Sequence, residues 1–125
     1  MIEIDSLNVS FGAGAAEVRA VRNVSLTVGL GESIGIVGES GSGKSTVLRA
    51  VAGLVDNWTG AITVNDRPLS RRRSRTEQKS IQMVFQDPYG SLHPRKTINQ
   101  ALREPLVIHS MDNRDDRIAK ALSEV

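Results

Sequence analysis

The residues Gly38-Glu39-Ser40-Gly41-Ser42-Gly43-Lys44-Ser45 place three glycines, a lysine and a hydroxyl in the spacing G-x-x-x-x-G-K-[ST]. That spacing suits one kind of chemistry, the holding of a polyphosphate. Glycines at 38, 41 and 43 let the backbone curl until successive N–H groups point inward as an anion nest. A helix that starts there adds the positive end of its dipole. Lys44 brings a point charge to the β- and γ-phosphates, and the Ser45 hydroxyl completes the coordination of a Mg²⁺ bridging the same oxygens. Thr46 lines the same cradle and is the weaker candidate for the metal. The plain alternative is a Gly/Ser-rich loop that happens to hold a lysine, and the flanking elements decide between the two.

Ser33-Ile34-Gly35-Ile36-Val37 is a short apolar run ended by Gly38, as expected of a buried strand in a parallel sheet. Beyond the loop, Val47, Leu48 and Val51 cover one helical face, and Gly53 stands where a left-handed helix cap belongs. Upstream, Ile2, Ile4, Leu7, Val9 and Phe11, then Val18, Val21, Val24, Leu26 and Val28, read as two strands joined by a loop at residues 12–16. Gly29 and Gly31 mark a turn, and Gly60-Ala61-Ile62-Thr63-Val64 is a further strand closed by a turn at Asn65-Asp66. Ile81-Gln82-Met83-Val84-Phe85-Gln86 is a second buried-strand candidate. The remainder reads as helix, with Ile98, Ala101, Leu102 and Leu106 on one face and Ile118, Ala121, Leu122 and Val125 on another. Pro105 is expected to kink or restart the first of these helices, and Asp112 to cap the second. The fold class is α/β: a P-loop NTPase core with an amino-terminal antiparallel β layer and the start of a helical subdomain.

A chain of 125 residues and 13.5 kDa suits one modest domain. It has no cysteine, so disulfide and thiolate-metal chemistry are excluded. No apolar stretch approaches the roughly 20 residues that span a bilayer, and the opening Ile2-Glu3-Ile4-Asp5 alternates like a strand, unlike a signal peptide. The net charge of +2 is unevenly placed, because Arg67, Arg71, Arg72, Arg73 and Arg75 fall in a stretch with no acid and leave the rest net acidic. That run has no interleaved aromatics, which favours a solvated loop over a nucleic-acid contact, and no nucleic-acid partner is expected.

The segment Met83-Val84-Phe85-Gln86-Asp87-Pro88-Tyr89-Gly90-Ser91-Leu92-His93-Pro94 runs an apolar stretch into a glutamine and a proline-broken loop. Taken with the glycine loop and the early Phe11, it resembles the amino-terminal half of an ATP-binding subunit of an ABC transporter. The wording Phe85-Gln86-Asp87-Pro88-Tyr89, Ser91-Leu92, Pro94-Arg95 and Glu104-Pro105-Leu106 is most similar to the dipeptide, oligopeptide and nickel uptake branch. The resemblance implies a partial ABC-type nucleotide-binding domain over residues 1–125. Residues 1–86 would form the β layer and P-loop core, and residues 87–125 the Q-loop region and the start of the helical subdomain. It implies ATP and Mg²⁺ as the bound groups, with Lys44 and Gln86 in catalysis. Gln86 would be the Q-loop glutamine whose amide oxygen reaches the Mg²⁺ or the attacking water, and Phe11 the aromatic that stacks on adenine. By residue type alone Gln86 reads as a solvent-facing strand end, and Phe11 as ordinary core. Tyr89 and Leu92 would be contacts with a membrane subunit or simply packing residues.

The same resemblance implies partners: transmembrane permease subunits, a second ATP-binding subunit in a homo- or heterodimer, and indirectly a solute-binding protein. It places the protein peripherally on the cytoplasmic face of the plasma (inner) membrane, driving import of peptides or a related small solute. Residues 1–125 contain no Gly-Gly pair and no L-S-G-G-Q signature. His93 and His109 do not match the family's later histidine, and Asp87, followed by Pro88, suits the Q-loop better than the metal carboxylate. The chain is therefore expected to be a fragment that stops before the signature, which leaves turnover by it alone in doubt. A nucleotide-binding fragment without turnover and a non-transport P-loop ATPase are the alternatives.

Overall fold

Alternating apolar and polar residues build a long hairpin from β1 (Ile2–Phe11) and β2 (Val18–Val28) in the computed structural model, which describes residues 1–87, 90 and 92–125. Tyr89, one of the two suggested membrane-subunit contacts, lies outside the described residues, as do Pro88 and Ser91. After α1 (Lys44–Ala52) come β3 (Trp58–Val64), the two-residue β4 (Arg67–Pro68) and α2 (Arg75–Ser80), followed by α3 (Ile98–Ile108) and α4 (Arg114–Ser123). The strands form one antiparallel sheet in the order β2-β1-β3-β4. The chain divides into two compact units, Met1–Gln82 and Met83–Val125.

In the first unit, α1 lays Val47 and Ala50 on the sheet against Ile4, Leu7 and Val9 of β1, Val21 of β2 and Trp58 and Ile62 of β3. The apolar spacing in β1 slips by one residue between Ile4 and Leu7, and the ladder slips with it. Ser6 takes a left-handed conformation (φ 52°) that lets Leu7 return to the buried face. Its N–H is satisfied by the Ser25 hydroxyl at 2.9 Å, and Asn8 Oδ1 likewise accepts from the N–H of Asn23 (φ 48°) at 2.9 Å. Gly60 on β3 makes the bulge possible, because a Cβ there would stand 2.5 Å from the carbonyl oxygens of both Asp5 and Ser6, at φ +98°. Gly60→Ala is therefore expected to destabilise the first unit by about 2–4 kcal/mol, read as a lower urea midpoint with an unchanged slope.

The turn expected at Asn65-Asp66 is a tight hairpin turn with both residues at positive φ (48° and 61°), bringing Val64 opposite Arg67. Gly53 caps α1 in the left-handed region (φ 77°), with Leu54 N–H donating to Arg49 O at 2.8 Å.

Residues 33–37 do not form the parallel strand expected of them. Among the described residues the one sheet is antiparallel and does not include them. Ile36 packs against the core, while Ile34 and Val37 are 45% and 94% exposed. A strand exists only through hydrogen-bonded neighbours, and apolar patterning alone supplies none. Residues 81–86 depart in the same way: Ile81 packs against the first core, but no pairing follows it and Val84 is 95% exposed.

In the arginine segment Arg67, Arg71, Arg72 and Arg75 are exposed as expected, and Arg73 alone departs from a solvated loop. Arg73 is half-buried, and its Nη2 donates to the carbonyls of Ala50 and Val51 (3.0 and 3.3 Å) at the end of α1. Its guanidinium also bonds Ser70 O and stands 5.9 Å from the Trp58 ring centroid. A cation on the last carbonyls of a helix opposes the negative end of its dipole. Desolvation lowers the Arg73 pKa, with Glu77 opposing the shift.

The helix α2 opens with a capping box in which Ser74 Oγ accepts from Glu77 N–H and the Glu77 carboxylate accepts from Ser74 N–H at 2.7 Å. The Ser70 N–H, also bonded to that carboxylate at 2.8 Å, is the largest cause of a Glu77 pKa held at about 2, ahead of the Ser74 bonds. Because the folded pKa lies below the ordinary 4.5, the bonds contribute above that value and are lost as pH falls from about 4.5 towards 2. A loss of stability in that window, smaller in Glu77→Gln, is the expected result of urea titrations at stepped pH.

In the second unit, α3 runs as one helix through Pro105 and does not restart there. Its first turn is fixed independently by a Thr97–Gln100 capping box, and Pro105 lies in the last turn, where one missing N–H costs least cooperativity. Asp112 is not the cap of α4. Asn113 occupies that position at φ 52° without a side-chain bond, and Asp112 uses its carbonyl to accept from Arg117 Nε at 3.0 Å. Asp115 and Asp116 in the first turn supply the favourable charge instead, and Asp115 also pairs with Arg103 of α3. Ile118 is buried, whereas Leu122 and Val125 of the expected face are exposed.

Candidate phosphate-binding site

The loop between residues 37 and 44 is anchored to β2 at its far end. A Cβ on Gly43 would stand 2.4 Å from Ala20 O and 3.4 Å from Val21 Cγ2, at φ +93°, so only glycine permits this approach. Gly41 is likewise left-handed at φ 80°. The helix α1 starts immediately after Gly43, whose carbonyl accepts from Thr46 N–H (2.9 Å) and Val47 N–H (3.0 Å). No side chain caps this end and its first turn holds no acid, so the positive end of the dipole is open to an anion.

Lys44 folds back into the loop. Its ammonium donates to Gly38 O (2.8 Å), Glu39 O (2.5 Å) and Ser42 Oγ (3.2 Å), while Ser42 N–H closes the turn onto Glu39 O at 3.2 Å. Ser40 is exposed at the tip; Ser45 is exposed and Thr46 half-buried, which fits Ser45 as the more accessible hydroxyl. Glycine-permitted curvature, an uncapped helix start, a lysine ammonium held over the loop and an exposed hydroxyl together fit a polyphosphate with its divalent ion. The structure thus gathers Gly38 through Thr46 into one cradle.

Phe11 is the last residue of β1, 43% exposed and paired with Val18. It is not core, and it lies at the same end of the hairpin as the Ala20-Val21 backbone on which Gly43 rests. Gln86 is exposed at a bend in the second unit. Two residues that sequence reasoning passed over border the cradle: Arg19 and Arg22 of β2 line a cavity of about 470 Å³ with Ser42, Gly43 and Lys44. Their signal was the broken alternation of β2, which sets Val21 in the core between two exposed arginines.

A glycine cradle that opens a helix packed on a sheet defines a P-loop nucleotide-binding protein. Residues 21–125 match the ABC transporter family, and the chain belongs to that family. It is 35% identical to the oligopeptide transport ATP-binding protein OppF of Streptococcus pyogenes serotype M1, aligning over 100% of this chain and 43% of that protein. It is 41% identical to the glutathione import ATP-binding protein GsiA of Salmonella choleraesuis, over 92% of this chain and 19% of that protein. The chain thus spans less than half the length of these relatives. Among solved structures, the dimeric post-hydrolysis state of an ATP-binding cassette bound to ADP and Pi matches with a TM-score of 0.76 at 26% identity. That match covers 98% of this chain and 56% of the cassette.

Proposed function

We propose that this chain forms the MgATP-holding part of an ATP-binding subunit in an ABC importer for peptides or a related small solute. The observation that carries the reading is the cradle itself: Gly43 pinned on β2, α1 opening from it, and the Lys44 ammonium already held among loop oxygens. The names of the oligopeptide and glutathione relatives support the cargo class. Lys44 and the loop N–H groups bind and orient the phosphates, Ser45 and Gln86 are the proposed Mg²⁺ ligands, and Phe11 takes the adenine face. Glu39, Ser40, Gly41, Ser42 and Thr46 complete the cradle. The ion, when bound, supplies charge neutralisation between phosphate oxygens.

The layout proposed is β layer and P-loop core over 1–86 and Q-loop region with the start of a helical subdomain over 87–125. Its partners are permease subunits and a second ATP-binding subunit, the latter in keeping with the dimeric cassette neighbour. Among the described residues no helix is long and apolar enough to cross a membrane. A peripheral seat on the cytoplasmic face, through the permease, is the location this reading assigns. Turnover belongs to the parent protein. Calorimetry with MgATP, phosphate release by this chain and by a version extended to the length of its relatives, and co-purification with permease subunits test the reading together. Micromolar binding with release confined to the extended chain is expected. Failure of the chain to bind MgATP, or rapid phosphate release by the short chain, would overturn it.

A further inference from the structure

The strand β2 brings a second source of positive charge to the phosphate cradle. Arg19 and Arg22 are both exposed, and both border the cavity that Ser42, Gly43 and Lys44 also line. That lining contains no aspartate or glutamate, and among the described residues neither arginine has a carboxylate within ion-pairing distance. Three cations therefore face one cavity without a counter-charge. The rest of the lining is largely apolar, including Val24, Leu26, Ile36 and Val37, which lets charge act over longer distance than in open water.

The placement is fixed by backbone. Gly43 rests on Ala20 O, so the residues on either side of Ala20-Val21 are held beside the loop whatever their side chains do. Arg19 pairs with Ser10 in the ladder, next to the Phe11–Val18 pair, on the route between the cradle and the proposed adenine contact. Guanidinium groups present paired donors in a planar fork that matches phosphate oxygens.

We propose that Arg19 and Arg22 contact the phosphate chain of the bound nucleotide, so that this chain's affinity rises with the number of phosphates more steeply than the loop and Lys44 alone would make it. This rests on the nucleotide-binding reading above. MgATP, MgADP and adenosine are titrated into the chain and into Arg19→Ala, Arg22→Ala and the double variant, with the remote exposed Arg67→Ala as control. Each single variant is expected to lose about tenfold for MgATP, as for one charge-assisted hydrogen bond, less for MgADP and nothing for adenosine. The double variant should show a flatter dependence of affinity on salt, Arg→Lys should recover part of the loss, and thermal midpoints should not move. Unchanged MgATP affinity in both single variants, with Lys44→Ala still weakening binding, would overturn the arginine assignment and leave the nucleotide site standing. An equal loss for all three ligands with a lower thermal midpoint would show a structural role and also overturn it. No MgATP binding by the unaltered chain would overturn both.

Discussion

Lys44→Ala is expected to weaken MgATP binding by about 30- to 1000-fold, the equivalent of roughly 2–4 kcal/mol for the loss of charge-assisted contacts to two phosphates. The figure is below what an isolated ammonium would give. In the ligand-free loop Lys44 already donates to the carbonyls of Gly38 and Glu39 and to Ser42 Oγ, and those bonds are exchanged, not simply gained, when phosphate arrives. The same exchange gives the variant a second signature. Without the ammonium, the Gly38 and Glu39 carbonyls lose their shared donor, and amides of residues 38–43 should exchange hydrogen faster even with no nucleotide present. Calorimetry and amide exchange on one preparation would separate the two effects; tight MgATP binding by Lys44→Ala would remove the lysine from its assigned role.

Gly43→Ala is expected to abolish nucleotide binding and to cost about 3–5 kcal/mol of stability. The new methyl group would meet Ala20 O at 2.4 Å at a backbone φ of +93°, and neither neighbour is a flexible side-chain end that can swing away. Relief requires the loop to lift from β2, which moves the first turn of α1 as well. Gly41→Ala is the informative comparison. It carries the same left-handed strain (φ +80°) but meets nothing within 4 Å, so its cost should stay near 1–2 kcal/mol. Similar urea midpoints for the two variants would show that contact with β2 does not hold the loop.

The parts of this molecule that were legible in the sequence are those decided by local rules. The hairpin strands, the Asn65-Asp66 turn, α1 and its Gly53 cap all follow from residue type and near-neighbour spacing. So does the cradle, because G-x-x-x-x-G-K-S fixes backbone freedom and charge within a few residues. What failed depended on distant partners. Apolar runs at 33–37 and 81–86 look like buried strands, yet pairing is a property of two segments and cannot be read from one. The arginine segment is solvated except at Arg73, and nothing near Arg73 in sequence announces that the end of α1, some twenty residues earlier, takes a cation. The placement of Arg19 and Arg22 beside the loop follows from Gly43 resting on the strand between them, a contact that no local pattern announces.

The unpaired run at 33–37 has a consequence for the order of events in folding. The buried core of the first unit is assembled from β1, β2, β3, α1 and Leu69, with Ile36 only resting on its edge. Although β3 pairs with β1 only across β2, the loop and α1, the β1–β2 hairpin closes a short loop, so this hairpin layer can form early and without waiting for a parallel neighbour. Gly43 is seated on that layer at Ala20, and the nest it closes is thereby shaped by the part of the chain that condenses first. On the other side of the loop Val37 is 94% exposed and no backbone seat of that kind is present among the described residues, so the fixed support of the nest lies on the hairpin side.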